Sequence, residues 1–261
     1  MTKQDDAAKV RRIVGTRLHS AELTKLLNRG WTREWCDHVL DYANMILIAA
    51  DNSCYAPLCG ELSDYGPRVT ILLVEPWLSF THPLNTLVEK ALSDGAAELV
   101  FQSSEVWVEK HCIEGMSRHL ADDTLVVGAK MWEHHADSHG QVPLTGLTSP
   151  WNTLALWNPK KLARTGFPTV SSGLLDSIPG GVEEVAAISL LQHMDPRNCL
   201  AKLFTNSCLH WATDHLRPER RALHEAKMRG KYHRAEQQLA HLGIPRGSVI
   251  VLGEVDNPTQ T

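Results

Sequence analysis

The sequence holds no cysteine pair at CxxC spacing, no HExxH or similarly tight histidine pattern, and no apolar run of the length a membrane-spanning helix requires. The first absence, in a 261-residue chain that buries a core without staples, predicts reduced thiols at Cys36, Cys54, Cys59, Cys112, Cys199 and Cys208. The second sets aside a histidine-rich metallohydrolase in spite of 14 histidines. Positive charge is scarce too, for the net charge is −4, which argues against general nucleic-acid binding. The amino terminus lacks the basic start and apolar middle of a secretory signal, so the expected location is the cytoplasm, with no integral membrane segment. Neither internal repeats nor low-complexity tracts occur.

What the sequence does hold is alternation. Residues 97–102 form an apolar run that stops at Ser103, Ser104 and Glu105, as expected of a buried strand delivering polar side chains at its carboxyl end. Ahead of it, strands are expected over 9–15, 45–50 and 69–74. Helices are expected over 21–29, from Thr32 through Ala43, and from Pro83 to Leu92, with a Gly- and Pro-rich loop after Ser53. Beyond it come a helix lined by Ile113, Met116 and Leu120, a strand over 124–131, and a long loop over 132–151 carrying His134, His135 and His139. A short helix over 158–166 and an apolar helix over 182–194 follow, then two helices divided near Pro218 and an edge strand over 248–252. This order predicts an α/β fold, a mostly parallel open sheet flanked by helices. The expected division is one domain over 1–195 and a helical extension over 196–261 with an edge strand.

Several landmarks recur at fixed spacing: Ala50-Asp51-Asn52-Ser53, Pro83-Leu84-Asn85, the run from Gly95 to Glu105, the segment from Asn152 to Gly166-Phe167, and Gly181-Val182-Glu183-Glu184. Together, over roughly residues 10 to 195, they resemble the nucleotide-binding half of a family-2-type inverting glycosyltransferase with the GT-A fold. The resemblance implies a nucleotide-sugar or nucleoside diphosphate ligand, with Asp51 on its base or ribose and Ser103, Ser104, Glu105 and Arg17 on the donor side. The family's metal-binding acid pair is reduced, since Ser103 stands at the first acid and Glu105 at the second.

A Mn²⁺ or Mg²⁺ ion held by Glu105 with help from His134, His135 or His139 is one expectation. A metal-independent site is the other, with Arg17, Lys130 or Arg164 as the fixed cation. Glu183 or Glu184 takes the place of the general base, although acids in a first helical turn also favour the helix dipole. Trp132, Trp151 and Trp157, with Asn152, are the acceptor-side candidates, the tryptophans as a stacking wall. Two rival readings remain. Gly15-Thr16-Arg17-Leu18 resembles a fragment of the sugar-phosphate nucleotidyltransferases, and a catalytically degenerate GT-A-fold scaffold keeps the sheet without the chemistry.

Overall fold

The computed structural model describes residues 10–19, 30–131, 134, 139–205, 209–211 and 218–253. Its elements in chain order are β1 (Arg12–Leu18), α1 (Trp31–Val39), β2 (Met45–Ala50), α2 (Asn52–Glu61), β3 (Val69–Leu73), α3 (Thr81–Ser93), β4 (Glu98–Gln102) and β5 (Val106–Val108). Then follow α4 (Lys110–Arg118), β6 (Thr124–Ala129), β7 (Gly140–Pro143), β8 (Leu154–Trp157), α5 (Pro159–Leu162), α6 (Glu183–Met194), β9 (Leu200–Phe204), β10 (Leu209–Trp211), α7 (Pro218–Leu242) and β11 (Ser248–Val251).

Among these residues nine strands form one sheet in the order β3-β2-β1-β4-β8-β6-β9-β11-β7. All pairings are parallel except those of β8 with β4 and β6, and of β7 with β11. The carboxyl ends of β1 to β4 therefore share one edge of the sheet. Because β8 runs the other way, it begins at that same edge, with Leu154 opposite Gln102.

Side-chain alternation along the strands divides the core between two faces. Ile13, Leu47, Leu99 and Phe101 pack with Leu84, Leu87 and Val88 of α3, Val185 and Ile188 of α6, and Ala235 and Leu239 of α7. Their neighbours Val14, Ile46, Ile48 and Val100 pack on the opposite face with Trp35 and Val39 of α1, Leu58 of α2, and Ile113 and Met116 of α4. Each fully buried aliphatic side chain contributes about 1.5–3 kcal/mol, so packing on both faces of the sheet supplies a large stabilising term.

Five expectations need correction. Residues 200–204 form a strand rather than a helix, β7 lies within the long loop expected over 132–151, and α2 occupies the loop expected after Ser53. Asp51 caps α2 by accepting the backbone N–H of Cys54 at 3.0 Å, which starts a helix despite Pro57 inside it. Strand 248–251 was expected at the edge, but β7 lies outside it. Thus β9 and β11 add two strands of the stretch after 195 to the same sheet. Cys112 is disulfide-bonded, contrary to the expectation of reduced thiols throughout. The helix expected over 21–29 lies outside the described residues. No helix among the described residues is long and apolar enough to cross a membrane.

Candidate functional site

Where the parallel strands end, a cavity of about 480 Å³ opens. Gly15, Thr16, Arg17 and His19 enter it from β1, Gln102 and Ser103 from β4, and Asn152 and Thr153 from the chain leading into β8. Trp77, Ser79, Phe80 and Leu84 close one side, and Glu184 at the start of α6 closes another. A more open depression beside it is lined by Asp51, Asn52, Ser53, Val74, Glu75, Pro76 and Trp77. The two share Trp77.

The walls are held by bonds that leave little play. Ser103 donates its backbone N–H to Thr153 at 2.9 Å, joining the end of β4 to β8. Gln102 is spent on structure, accepting from the Tyr42 hydroxyl at 2.8 Å and donating to the Val106 carbonyl at 3.0 Å across the 103–106 turn. Trp31 donates its indole N–H to the Ser104 carbonyl at 3.0 Å, bracing the same turn. On the rim, Leu78 and Ser79 are consecutive non-glycine residues in the left-handed region, with φ of 44° and 65°. Their loop lies against the 172–181 loop so closely that a Cβ on Gly180 would come within 2.8 Å of the Phe80 ring.

The two acids diverge in environment. Glu183 meets Arg17, Nη2 to Oε1 at 3.3 Å, while Arg17 also donates to the Phe80 carbonyl at 2.7 Å. Glu184 is buried and accepts the backbone N–H of Asn152 at 2.6 Å. Burial first, and the charge of Glu183 second, push the Glu184 carboxyl up to about 7, against the opposing pull of the Asn152 N–H. A buried carboxyl that titrates near neutrality in a cavity is suited to take and return a proton. Asn152 itself accepts the Trp157 indole N–H at 3.0 Å, and its buried Nδ2 has no hydrogen-bond partner.

The other expected residues lie elsewhere. Asp51 is on the wall of the neighbouring depression, on the same sheet edge as Ser103. Ser104 and Glu105 fall in the turn after β4, and neither is on the cavity wall. Trp151 and Trp157 are core residues, 2% and 0% exposed, rather than a stacking wall. The first is stacked on His134 with ring centroids 3.9 Å apart and has the Lys231 ammonium 3.1 Å from a ring centroid. His134 has both ring nitrogens committed to backbone: Nδ1 accepts from Met131 N–H at 2.9 Å, and Nε2 donates to the Ser149 carbonyl at 2.8 Å. Burial depresses its pKa to about 4, so the ring is a neutral structural group with no lone pair for a cation. His139 lies beside Gly253 just before β7, with β8, β6, β9 and β11 between β7 and β4. His135 and Trp132 lie outside the described residues. Among the described residues, no three His, Cys, Asp or Glu side chains are grouped as a metal site.

Sequence reasoning missed Trp77, Phe80 and His19. They lie in loops without periodicity, where only the pairing of strands brings them to one place.

A mostly parallel sheet with a cavity at its carboxyl edge, reached by an acid from a facing helix, has the architecture of an open α/β fold with its cleft outside the strand ends. The comparisons narrow that class. The structure is similar to a mannosyltransferase of Pyrobaculum calidifontis solved with GDP-Man and Mn²⁺, with a TM-score of 0.57 and 13% identity, over 89% of this chain and 70% of that one. It is also similar to the 4-diphosphocytidyl-2C-methyl-D-erythritol synthase of Anaerococcus prevotii, with a TM-score of 0.51 and 10% identity, over 84% of this chain and 96% of that one. A third likeness is to GalNAc-T7 with UDP, GalNAc and Mn²⁺, with a TM-score of 0.51 and 9% identity, over 78% of this chain and only 44% of that one. No protein-family model and no curated protein matches the chain. The chain has a GT-A-like α/β fold.

Proposed function

We propose that the protein is a glycosyltransferase that moves a sugar from a nucleotide-sugar donor to an acceptor hydroxyl, with Glu184 as general base. The observation that carries this reading is the buried Glu184 carboxyl on the cavity wall, raised toward neutrality and aimed by the Asn152 N–H. In the proposed step the acceptor hydroxyl attacks the anomeric carbon while Glu184 takes its proton. The bond from that carbon to the diphosphate breaks, and its electrons leave with the nucleoside diphosphate. Glu183, paired with Arg17, is one of the causes that raise the Glu184 carboxyl and keep it basic enough to act. The base and ribose are assigned to the depression beside Asp51, with Trp77 between them and the reacting end of the donor.

The mannosyltransferase and GalNAc-T7 structures hold Mn²⁺. The donor set here does not match a hard divalent cation: a Ser103 hydroxyl on the wall, Glu105 off it, and His134 committed to backbone. No step is therefore assigned to a metal.

One observation favours a second reading. Gly15, Thr16 and Arg17, from the nucleotidyltransferase-like fragment, all line the cavity. That enzyme would release pyrophosphate from a nucleoside triphosphate and a sugar phosphate. Incubation with a panel of nucleotide sugars, and separately with triphosphates and sugar phosphates, separates the two. Nucleoside diphosphate release abolished by Glu184→Gln supports the transferase. Pyrophosphate release replaces it with the second reading, and binding without turnover of either panel supports a scaffold.

A further inference from the structure

We infer that Arg17, backed by Arg234, is the fixed cation that holds the diphosphate of a nucleotide ligand, and that this ligand binds without a divalent metal ion. The inference rests on the nucleotide-binding reading above and specifies how the charged end is met.

Three cations entered from the sequence, and the structure separates them. Arg164 pairs with Asp195 at 3.1 Å, at the far end of α6 from Glu184. Twelve helical residues place that end about 18 Å from the cavity. Lys130 follows β6 and is not on the cavity wall. Arg17 is on the wall, at the carboxyl end of β1, its side chain 29% exposed. Its guanidinium is tied behind by two bonds, one from Nη1 to the Phe80 carbonyl and one from Nη2 to Glu183. The Phe80 hydrogen bond and the Glu183 ion pair hold the guanidinium on the wall, and its five N–H donors exceed what these two contacts use.

The balance of charge points the same way. Arg234 on α7 donates to the Gly180 carbonyl at 3.3 Å and feels the charge of Glu183. Around Glu183 the structure thus gathers Arg17 at 3.3 Å and Arg234, with the neighbouring Glu184 held toward its neutral form. Two guanidiniums placed here favour a phosphate over a second cation such as Mn²⁺. In a metal-dependent site the carboxylates outnumber the cations, because the ion brings the positive charge itself. Here the protein brings it. The first turn of α3, which has no side-chain cap and whose Leu84 reaches the same wall, adds its dipole to the guanidinium.

Calorimetric titration of UDP, GDP and CDP into the protein, once with EDTA and once with MnCl₂, tests this. The expected result is one preferred nucleotide whose affinity differs by less than about threefold between the two buffers. Arg17→Gln should then weaken that diphosphate by about tenfold or more while leaving the corresponding nucleoside unchanged, and Arg17→Lys should fall between. A thermal melt of each variant separates lost binding from lost fold. Binding that requires MnCl₂ overturns the inference and leaves the transferase reading standing. Binding in EDTA that Arg17→Gln does not weaken overturns the role of Arg17. Absence of any nucleotide binding in either buffer overturns both.

Discussion

The Glu184 carboxylate accepts the backbone N–H of Asn152 at 2.6 Å across 32 residues of sequence. Asn152 is the last residue but one before β8, whose reversed direction brings it to the edge where the parallel strands end. The antiparallel strand is therefore what carries a donor to the acid. Without it, Glu184 would lose the largest of the influences that favour its ionised form, leaving its own backbone N–H and the charge of Lys231.

The first prediction concerns pH. Because Glu184 binds its proton more tightly when folded than when unfolded, the native state holds the extra proton between the ordinary 4.5 and about 7. Stability contributed by this group is thus greatest at low pH and falls as pH rises through that window. Glu184→Gln keeps the shape and the acceptor for Asn152 but does not titrate. Its melting temperature relative to the wild type should rise between about pH 5 and about pH 8. A difference that stays constant over the range would mean that Glu184 is ionised throughout.

The second contrasts two tryptophans. Trp77 lies half-buried between the cavity and the Asp51 depression, with His19 against it at 5.6 Å. Trp77→Ala should weaken nucleotide binding by about tenfold with a loss of stability below about 1 kcal/mol. Trp151→Ala empties a core site between His134 and Lys231 and should cost about 3–5 kcal/mol in denaturant unfolding. Equal losses of stability would deny Trp77 its place on a ligand surface.

The third lies at the other edge of the sheet. Arg12 and Glu98 are register partners on β1 and β4, joined at 2.6 Å and 8% and 5% exposed. Glu98 also accepts from the Ser117 hydroxyl, and Arg12 donates to the Tyr42 carbonyl at 3.3 Å. Glu98→Ala leaves a guanidinium buried without its counter-ion and should cost about 3–5 kcal/mol. The pair Arg12→Met with Glu98→Leu should recover most of that. If the double variant is no more stable than Glu98→Ala, the pair is not held by its buried charge.

Among the strands legible in the sequence, Met45–Ala50 and Thr124–Ala129 are buried almost throughout and read as near-continuous apolar runs. Leu154–Trp157 was not legible, because four apolar residues carry no period and the Asn158-Pro159 signal for α5 follows at once. Leu200–Phe204 was hidden by Lys202, which interrupts the run and reaches the His119 carbonyl at 3.0 Å. The acids at 183 and 184 were visible as a pair at a helix start. Which of them faces the cavity was not, because that depends on Val182, held in the left-handed region at a φ of 51°, and on contacts from β1 and β8. His134 was a ligand candidate, and the Met131 N–H and the Ser149 carbonyl, which occupy its two ring nitrogens, show otherwise.

The fourth prediction follows α7 to the acid. Gln238, 0% exposed, donates through Nε2 to the Pro179 and Gly181 carbonyls at 2.8 Å each, and accepts the Ser171 hydroxyl through Oε1 at 2.9 Å. One amide thus satisfies three polar groups of the loop that leads through Val182 into Glu183 and Glu184. Gln238→Leu keeps the volume and strands all three, which should cost about 2–4 kcal/mol in denaturant unfolding. Gln238→Glu retains the acceptor for Ser171 but loses both donors and buries a charge, so it should cost more than the leucine. The order of the two distinguishes hydrogen bonding from packing. If turnover by the proposed transferase depends on where this loop holds Glu184, the leucine variant should lose rate at a temperature where it remains folded while keeping its nucleotide affinity, because the donor-side walls come from β1, β4 and the Trp77 loop. Nucleotide affinity falling in step with the rate would show instead that α7 supports the whole cavity rather than its acid.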